Sequence, residues 1–525
     1  MARDITRRNF LKTSTGAIGA SALGTSSVFA NRTVKTRNKD KPDVEKAKIY
    51  TVFLGTNPSK DDTDIQPTSN EDILKKIKSK CPGIEFVVRD VTKSIRLEFV
   101  INELRDLRKQ KFDGVLIIGT PTNYELTETG LATIAVYSIH DFMNIPYALY
   151  QEQGKVLTAT LDRWNVCASA EISSAMYKDL IQKINLFKAL KDMKKSHILS
   201  VSDREYVNPY YGDRRKSYPH GYNELLLNSI DESFGVQVTK IGTNEVADEK
   251  QIQDLWYQDS REAEKIAQMW IREARRMINT IESEVVRAAK VYLALRILMK
   301  KFGSNVIAFH IRSLIKNPKP EDKIWPSLAN TELQKQGIVG CCQSHLNVVL
   351  THMLAQYAFG RPSMMGDFMV DTFNNTTYLM HCGAPINPWG ENDRISYEIT
   401  DHRERTVREH SKAGCGACLR VFYPPDEPVT FWRIDVLSKQ IFVHTGTTIA
   451  RAEYYKDHFD ETMCRTKLAA KVSDAKKIQN FTYPEKYGVH KSGTLGDFRE
   501  RIKDLGNLIG YKVIEVDKTD YSLVL

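Results

Sequence analysis

The sequence predicts an α/β protein: two doubly wound parallel-sheet domains, then a C-terminal α+β domain carrying an antiparallel β sandwich or barrel module. Three observations point there. Short continuous apolar runs, such as GVLII at 114–118, alternate with helical patterns, as buried parallel strands and their crossover helices do. From residue 418 the pattern changes to strand-like runs joined by turns, including PPDEP at 424–428. At 525 residues the chain is long enough for two or three separate cores.

Taken in order, residues 1–30 read as an export address. TRRNFLK at 6–12 fits the twin-arginine pattern, a weakly apolar stretch covers 17–28, and Val28-Phe29-Ala30 is a small-residue cleavage site. The expected location is periplasmic or extracellular. No other apolar run approaches the ~20 residues of a membrane span. Residues 31–46 read as a basic linker.

The first α/β domain is expected over 47–165. Its pattern runs strand 48–54, helix 71–80, strand 84–88, helix 97–109 and strand 114–118. No G-x-G-x-x-G follows the first strand, so there is no dinucleotide fingerprint. The second domain is expected over 166–340. It offers a helix at 172–190, strands at 197–201, 235–241 and 305–309, long amphipathic helices at 262–281 and 284–302, and a helical approach at 324–336. The aromatic segment YVNPYYGDRRKSY at 206–218 reads as a surface loop. The third domain, 341–525, holds strand-like runs at 418–423, 429–435 and 440–444, then a helix at 498–508 and a strand at 512–516.

Charge and cysteine usage exclude several classes. The leader supplies +3 of the formal +10, and no basic residues interleave with aromatics as in a nucleic-acid module. Eight scattered cysteines in a chain this long are not a disulfide framework. Cys341 and Cys342 are adjacent, a poor geometry for pairing with each other. Cys415-Gly-Ala-Cys418 is a lone C-x-x-C that reads as small buried residues entering a strand. An exported redox protein using Cys415 and Cys418 is the weaker alternative.

The chemistry concentrates between residues 337 and 383. A short apolar run ends at Cys341-Cys342-Gln343, and a helical pattern then puts Leu346, Val349, Leu350, Met353, Leu354, Tyr357 and Ala358 on one face. Gly360-Arg361-Pro362 ends the helix, because proline disfavours helical geometry in the residue before it. Gly366-Asp367 follows, and an Asn374-Asn375 turn leads to a strand ending at His381-Cys382-Gly383. Gln343, Asp367 and His381 each lie near an element end, where side chains can converge. Taken singly, each has a plainer reading as a turn residue or a satisfied buried imidazole.

The set as a whole, from Cys342-Gln343 through Gly360-Arg361-Pro362, Gly366-Asp367 and His381 to His490 in the closing unit, resembles the L-fucose/L-arabinose isomerase-like family. The resemblance implies a divalent metal, Mn²⁺ by preference, held by Asp367 and His490, with His381 and Gln343 as further ligands. It implies a monosaccharide substrate, and the chain is expected to form a homo-oligomer. Aldose–ketose isomerisation moves a proton between adjacent carbons, and one route uses a cation on both sugar oxygens with a base for that proton. Here the sequence departs from the family, because Gln343 stands where the family has Glu, and an amide accepts no proton at neutral pH. His345, two residues on, is the candidate replacement base. The expected function is therefore a metal-dependent sugar isomerase with an altered base. The alternative is a non-catalytic carbohydrate-binding relative. Asp401, His402, Glu404 and His410 are further polar candidates.

Replacing Arg7 and Arg8 by Lys should leave the precursor in the cytoplasm of a twin-arginine-competent host. Unimpaired export of that variant in a fractionation experiment removes the assignment of the leader.

Overall fold

GVLII at 114–118 is buried at every residue, and a strand without a solvent face belongs in the middle of a covered sheet. In the computed structural model it does lie there. The structure describes residues 45–53, 68–90, 106, 110–119, 131–138, 155–163, 168–203, 222–319, 322–390, 393–402, 416–450, 464–482 and 490–523. The leader, most of the linker, the expected helix at 97–109 and the aromatic loop at 206–218 fall outside the described residues, apart from residue 106.

The first sheet joins β1 (Ala47–Phe53), β2 (Ile84–Asp90), β3 (Gly114–Ile118), β4 (Thr133–Ser138) and β5 (Val156–Leu161) in the order β2-β1-β3-β4-β5. Every pairing is parallel. The second sheet joins β6 (His197–Ser202), β7 (Gln237–Ile241), β9 (Val306–His310) and β10 (Val339–Cys341) in the order β10-β9-β6-β7, again all parallel. The architecture is mixed α/β, with the strand order reversing beside the first strand of each sheet.

Six further strands close on themselves: β11 (Met364–Asp371), β12 (Thr376–His381), β15 (Pro428–Asp435), β16 (Gln440–Thr448), β17 (Thr466–Val472) and β18 (His490–Leu495). They run β15-β18-β11-β12-β17-β16, all antiparallel, and β16 pairs back onto β15. Closure removes the sheet edges that would otherwise invite pairing with another chain. β19 (Lys512–Glu515) adds to β16 in parallel. One barrel face gives Met364, Phe368, Leu379, Phe431, Phe442 and Leu468 to a common core. The opposite face sends Met365, Trp432, Ile434 and Val443 to the core around the helix Leu346–Phe359.

That helix departs from the expected single buried face. Val348, Thr351, His352 and Ala355 are buried as well as Leu346, Val349, Leu350, Met353 and Leu354. It is wedged between the helix Ala170–Lys194 on one side and β15 and β18 on the other, so two layers bury it at once. Each fully buried Leu or Val contributes about 1.5–3 kcal/mol. Polar contacts fix its axial position: Thr351 Oγ1 accepts from the Ile434 amide at 3.0 Å, and Asn347 Oδ1 accepts from the Val436 amide at 3.4 Å. Gly360 ends the helix with φ of 63°, the left-handed cap that glycine adopts without strain, so the stop begins one residue before the Arg-Pro pair.

Other expectations change on local pairing. The helix expected at 262–281 stops at Glu273, because the Arg275 amide donates to Tyr397 O and β8 (Met277–Ile278) joins a small sheet. That sheet holds β13 (Tyr397–Thr400) between β8 and β14 (Cys418–Val421), so the run at 418–423 joins a sheet other than the barrel and is bonded to the barrel through Thr466 of β17. The helix expected at 324–336 spans Ser327–Lys335, starting after Pro326. Among the described residues no helix is long and apolar enough to cross a membrane.

Gly366 shows why the Gly-Asp pair needs its glycine. A Cβ there would lie 2.8 Å from Met380 O, a backbone atom of the paired strand that cannot swing away. Gly366→Ala should therefore cost about 1–3 kcal/mol of stability, the usual range for overpacking a tight site. An unchanged urea midpoint would show that β11 and β12 separate freely.

Candidate functional site

The site forms where the carboxyl ends of β9 and β10 meet the barrel. In an open parallel sheet, the crevice for ligands lies outside those carboxyl ends. β9 ends at His310, and β10 is followed by Cys342, Gln343, Ser344 and His345. Ser344 Oγ donates to Ala308 O at 3.0 Å, which ties this turn to β9. His345 occupies the N-cap of the helix Leu346–Phe359 without a side-chain cap bond. Its Nε2 lies instead 2.6 Å from Gln343 Oε1. An amide oxygen only accepts, so Nε2 carries the proton and Nδ1 keeps the lone pair.

On the barrel side, the register of β11 and β18 sets Asp367 directly opposite His490. Directly opposed residues share a face. His490 Nε2 is 3.3 Å from Asp367 Oδ1, within ion-pair reach but out of line for a hydrogen bond. Neither ring nitrogen of His490 has a hydrogen-bond partner, although the residue is only 6 % exposed. Its ring stacks on His345 with centroids 4.4 Å apart, and His381 approaches it edge-on at 6.2 Å. His310 lies 6.5 Å from His345. Asp367 is the half-exposed member, at 48 % side-chain exposure.

The electrostatics keep the stacked pair neutral. Burial first, then His490 and the Arg433 guanidinium, hold His345 well below the usual imidazole range. Burial, then His381, Arg433 and Lys491, do the same for His490. A neutral imidazole is the form that ligates metal.

The structure thus brings Gln343, His345, Asp367 and His490 into one contiguous group. His381 borders it, but its Nδ1 lies 3.7 Å from the sulfur of Cys382. Cys382 Sγ in turn is 3.8 Å from Cys342 Sγ. Cys341 points the other way, toward the buried His352. Asp401 and His402 are engaged elsewhere: Asp401 pairs with Arg465 at 2.5 Å, and His402 stacks on Trp325 at 4.9 Å. Glu404, His410 and Cys415 lie outside the described residues, while Cys418 is buried in β14. Sequence reasoning missed His310, although it ends a strand just as His381 does. It also weighed the cysteines as disulfide partners, buried strand residues or a redox pair, not as neighbours of His381.

Two donors fit a hard divalent cation: the Asp367 carboxylate and the unpartnered nitrogens of buried His490. A buried imidazole with both nitrogens idle is costly unless something else satisfies it. The Gln343 oxygen accepts from His345 with one of its two lone pairs.

No protein-family model matches the chain, and no curated protein matches it. Among solved structures, a sugar ABC transporter from Yersinia enterocolitica is similar at 11 % identity, over 60 % of this chain and 78 % of that one, with a TM-score of 0.17. An ABC transporter periplasmic solute-binding protein from Actinobacillus succinogenes with bound D-allose is similar at 12 % identity, over 59 % of this chain and 92 % of that one, with a TM-score of 0.16. At such TM-scores neither likeness carries an argument.

Buried neutral histidines predict an acid-sensitive fold. Burial pushes His352, His402 and His444 down to about 3. Below about pH 6.5 the unfolded chain binds these protons and the native chain does not, so stability falls with pH down to about 3. Each ring contributes a slope of up to about 1.4 kcal/mol per pH unit in that window. Urea unfolding between pH 8 and pH 5 should show a falling midpoint and proton uptake. A midpoint flat over that range would contradict the neutral assignment.

Proposed function

We propose that the protein binds a monosaccharide through a divalent cation, as a relative of the L-fucose/L-arabinose isomerase-like family in which Gln343 has removed the general base. The observation that carries this reading is the contact between Gln343 Oε1 and His345 Nε2. The amide stands at the family's base position and accepts a hydrogen bond from a neighbouring ring, but an amide takes up no proton at neutral pH. The order of motifs from Cys342 to His490, and the unpartnered nitrogens of His490 beside Asp367, support the metal and the family. The leader supports a location outside the cytoplasm.

Asp367 and His490 would hold the cation, Mn²⁺ or a similar ion. When bound, it supplies Lewis acidity toward paired sugar oxygens. Asp367 offers a carboxylate at the accessible side, and the stacked His345 fixes the plane of His490. His345 Nδ1 is the proton acceptor that remains. A ring held well below its usual pKa is free to accept but accepts weakly, which lowers its worth as a general base.

That remaining lone pair motivates a second reading, slow aldose–ketose isomerisation with His345 as base. Metal analysis and turnover on a panel of pentoses and 6-deoxyhexoses separate the two. Asp367→Asn and His490→Ala should each lower bound Mn²⁺ while circular dichroism is unchanged. Full occupancy in both variants would place the cation elsewhere. Gln343→Glu should tighten metal binding and raise turnover at least about tenfold, since a general base is worth ~10²–10⁴ in rate. If wild type already turns over and His345→Ala abolishes it, the second reading holds. If Gln343→Glu and His345→Ala are both silent in metal affinity and turnover, the Gln343 segment is not at the metal.

A further inference from the structure

Beside the Asp367–His490 pair lies a second donor group of different chemistry. Cys342 follows β10, while His381 and Cys382 end and follow β12, so two separate parts of the chain supply it. All three ligand atoms lie within 4.8 Å of one another. Cys382 and His381 are buried, and Cys342 is half-buried.

The spacing is that of ligands around one ion. Thiolates about 2.3 Å from a tetrahedral zinc stand about 3.8 Å apart, and a thiolate and an imidazole nitrogen about 3.6 Å. The sulfurs of Cys342 and Cys382 are 3.8 Å apart, and His381 Nδ1 is 3.7 Å from Cys382 Sγ. Those two edges of the triangle already have the required length. A bonded disulfide, by contrast, brings the sulfurs to about 2.05 Å.

We propose that Cys342, His381 and Cys382 form a binding site for Zn²⁺, separate from the Asp367–His490 site and independent of the sugar reading. Soft thiolates with one imidazole select a borderline or soft cation over Mn²⁺. Three protein ligands leave one position open, as half-exposed Cys342 allows. The Cys342 thiol and burial hold the Cys382 thiol well above its usual range, so without an ion Cys382 keeps its proton. Zn²⁺ uptake then forms two Zn–S bonds and one Zn–N bond and releases up to two thiol protons to solvent.

Cobalt reports this directly, because Co²⁺ bound by thiolate gives a near-ultraviolet charge-transfer band that an oxygen and nitrogen site does not. The full chain, reduced and stripped with a chelator, is titrated with Co²⁺ and then with Zn²⁺. The band should appear at one Co²⁺ per chain and vanish when one equivalent of Zn²⁺ is added. Cys342→Ser and Cys382→Ser should each abolish it and weaken Zn²⁺ binding at least tenfold. Asp367→Asn and His490→Ala should retain it, so loss of Mn²⁺ in those variants leaves this proposal standing. The proposal is overturned by any of three results: no band in the reduced wild type, a band that survives in both Ser variants, or a band lost in Asp367→Asn. A wild-type mass showing Cys342 and Cys382 already joined as a disulfide after purification under native conditions overturns it too. The wild-type titration decides even if a Ser variant fails to fold.

Discussion

The double burial of the helix Leu346–Phe359 is the constraint on which the rest depends. A helix with one apolar face can rotate or slide against its sheet at modest cost. This one is held between a helix of the α/β part and two barrel strands, with Thr351 bonded to the Ile434 amide of β15 and Asn347 to the Val436 amide just after it. Its first residue therefore has a fixed height, and the turn before it, Cys342 to His345, is fixed with it. Because Ser344 also bonds β9, the turn is tied to the parallel sheet and faces the barrel at once. A site between two such layers needs no separate scaffold.

Water exclusion then sets the chemistry. Four imidazoles, from His310, His345, His381 and His490, crowd one region with Arg433 and Lys491 nearby. Charging even one of them would place like charges together in a poorly solvated space, so His345 and His490 stay neutral. The half-exposed Asp367 carboxylate is the counterweight on the accessible side. Lone pairs beside one carboxylate suit a cation far better than they suit proton traffic.

Much of the architecture was legible because it rests on local pattern. The buried run at 114–118 and the turn-separated runs after 428 carry their burial in their composition, and both became strands of the predicted kind. What failed was set by partners far away in sequence. Nothing between 274 and 281 says that Tyr397 will capture the Arg275 amide and end a helix. Nothing in the apolar stripe from Leu346 to Ala358 says that a barrel covers the other side. In the site, Gln343, Asp367, His381 and His490 were singled out by motif order, and the antiparallel register supplies what order cannot, the direct opposition of Asp367 and His490. The meeting of Cys342 with Cys382 was illegible, since it joins strand ends separated by 40 residues.

The two donor groups meet at His381. Its position at the end of β12 puts the ring between His490 and Cys382, within reach of both chemistries. A single imidazole nitrogen cannot serve a hard oxygen-rich centre and a thiolate pair equally, because ligand softness divides them. Nδ1 sits at sulfur distance, whereas the approach to His490 is edge-on between ring centroids 6.2 Å apart. With Nδ1 directed at sulfur, the ring would complete the proposed sulfur group and leave Asp367 and His490 as an open pair. On the proposed function, an open pair would bind a cation less tightly than a closed cage and would leave coordination positions for a polyhydroxylated ligand.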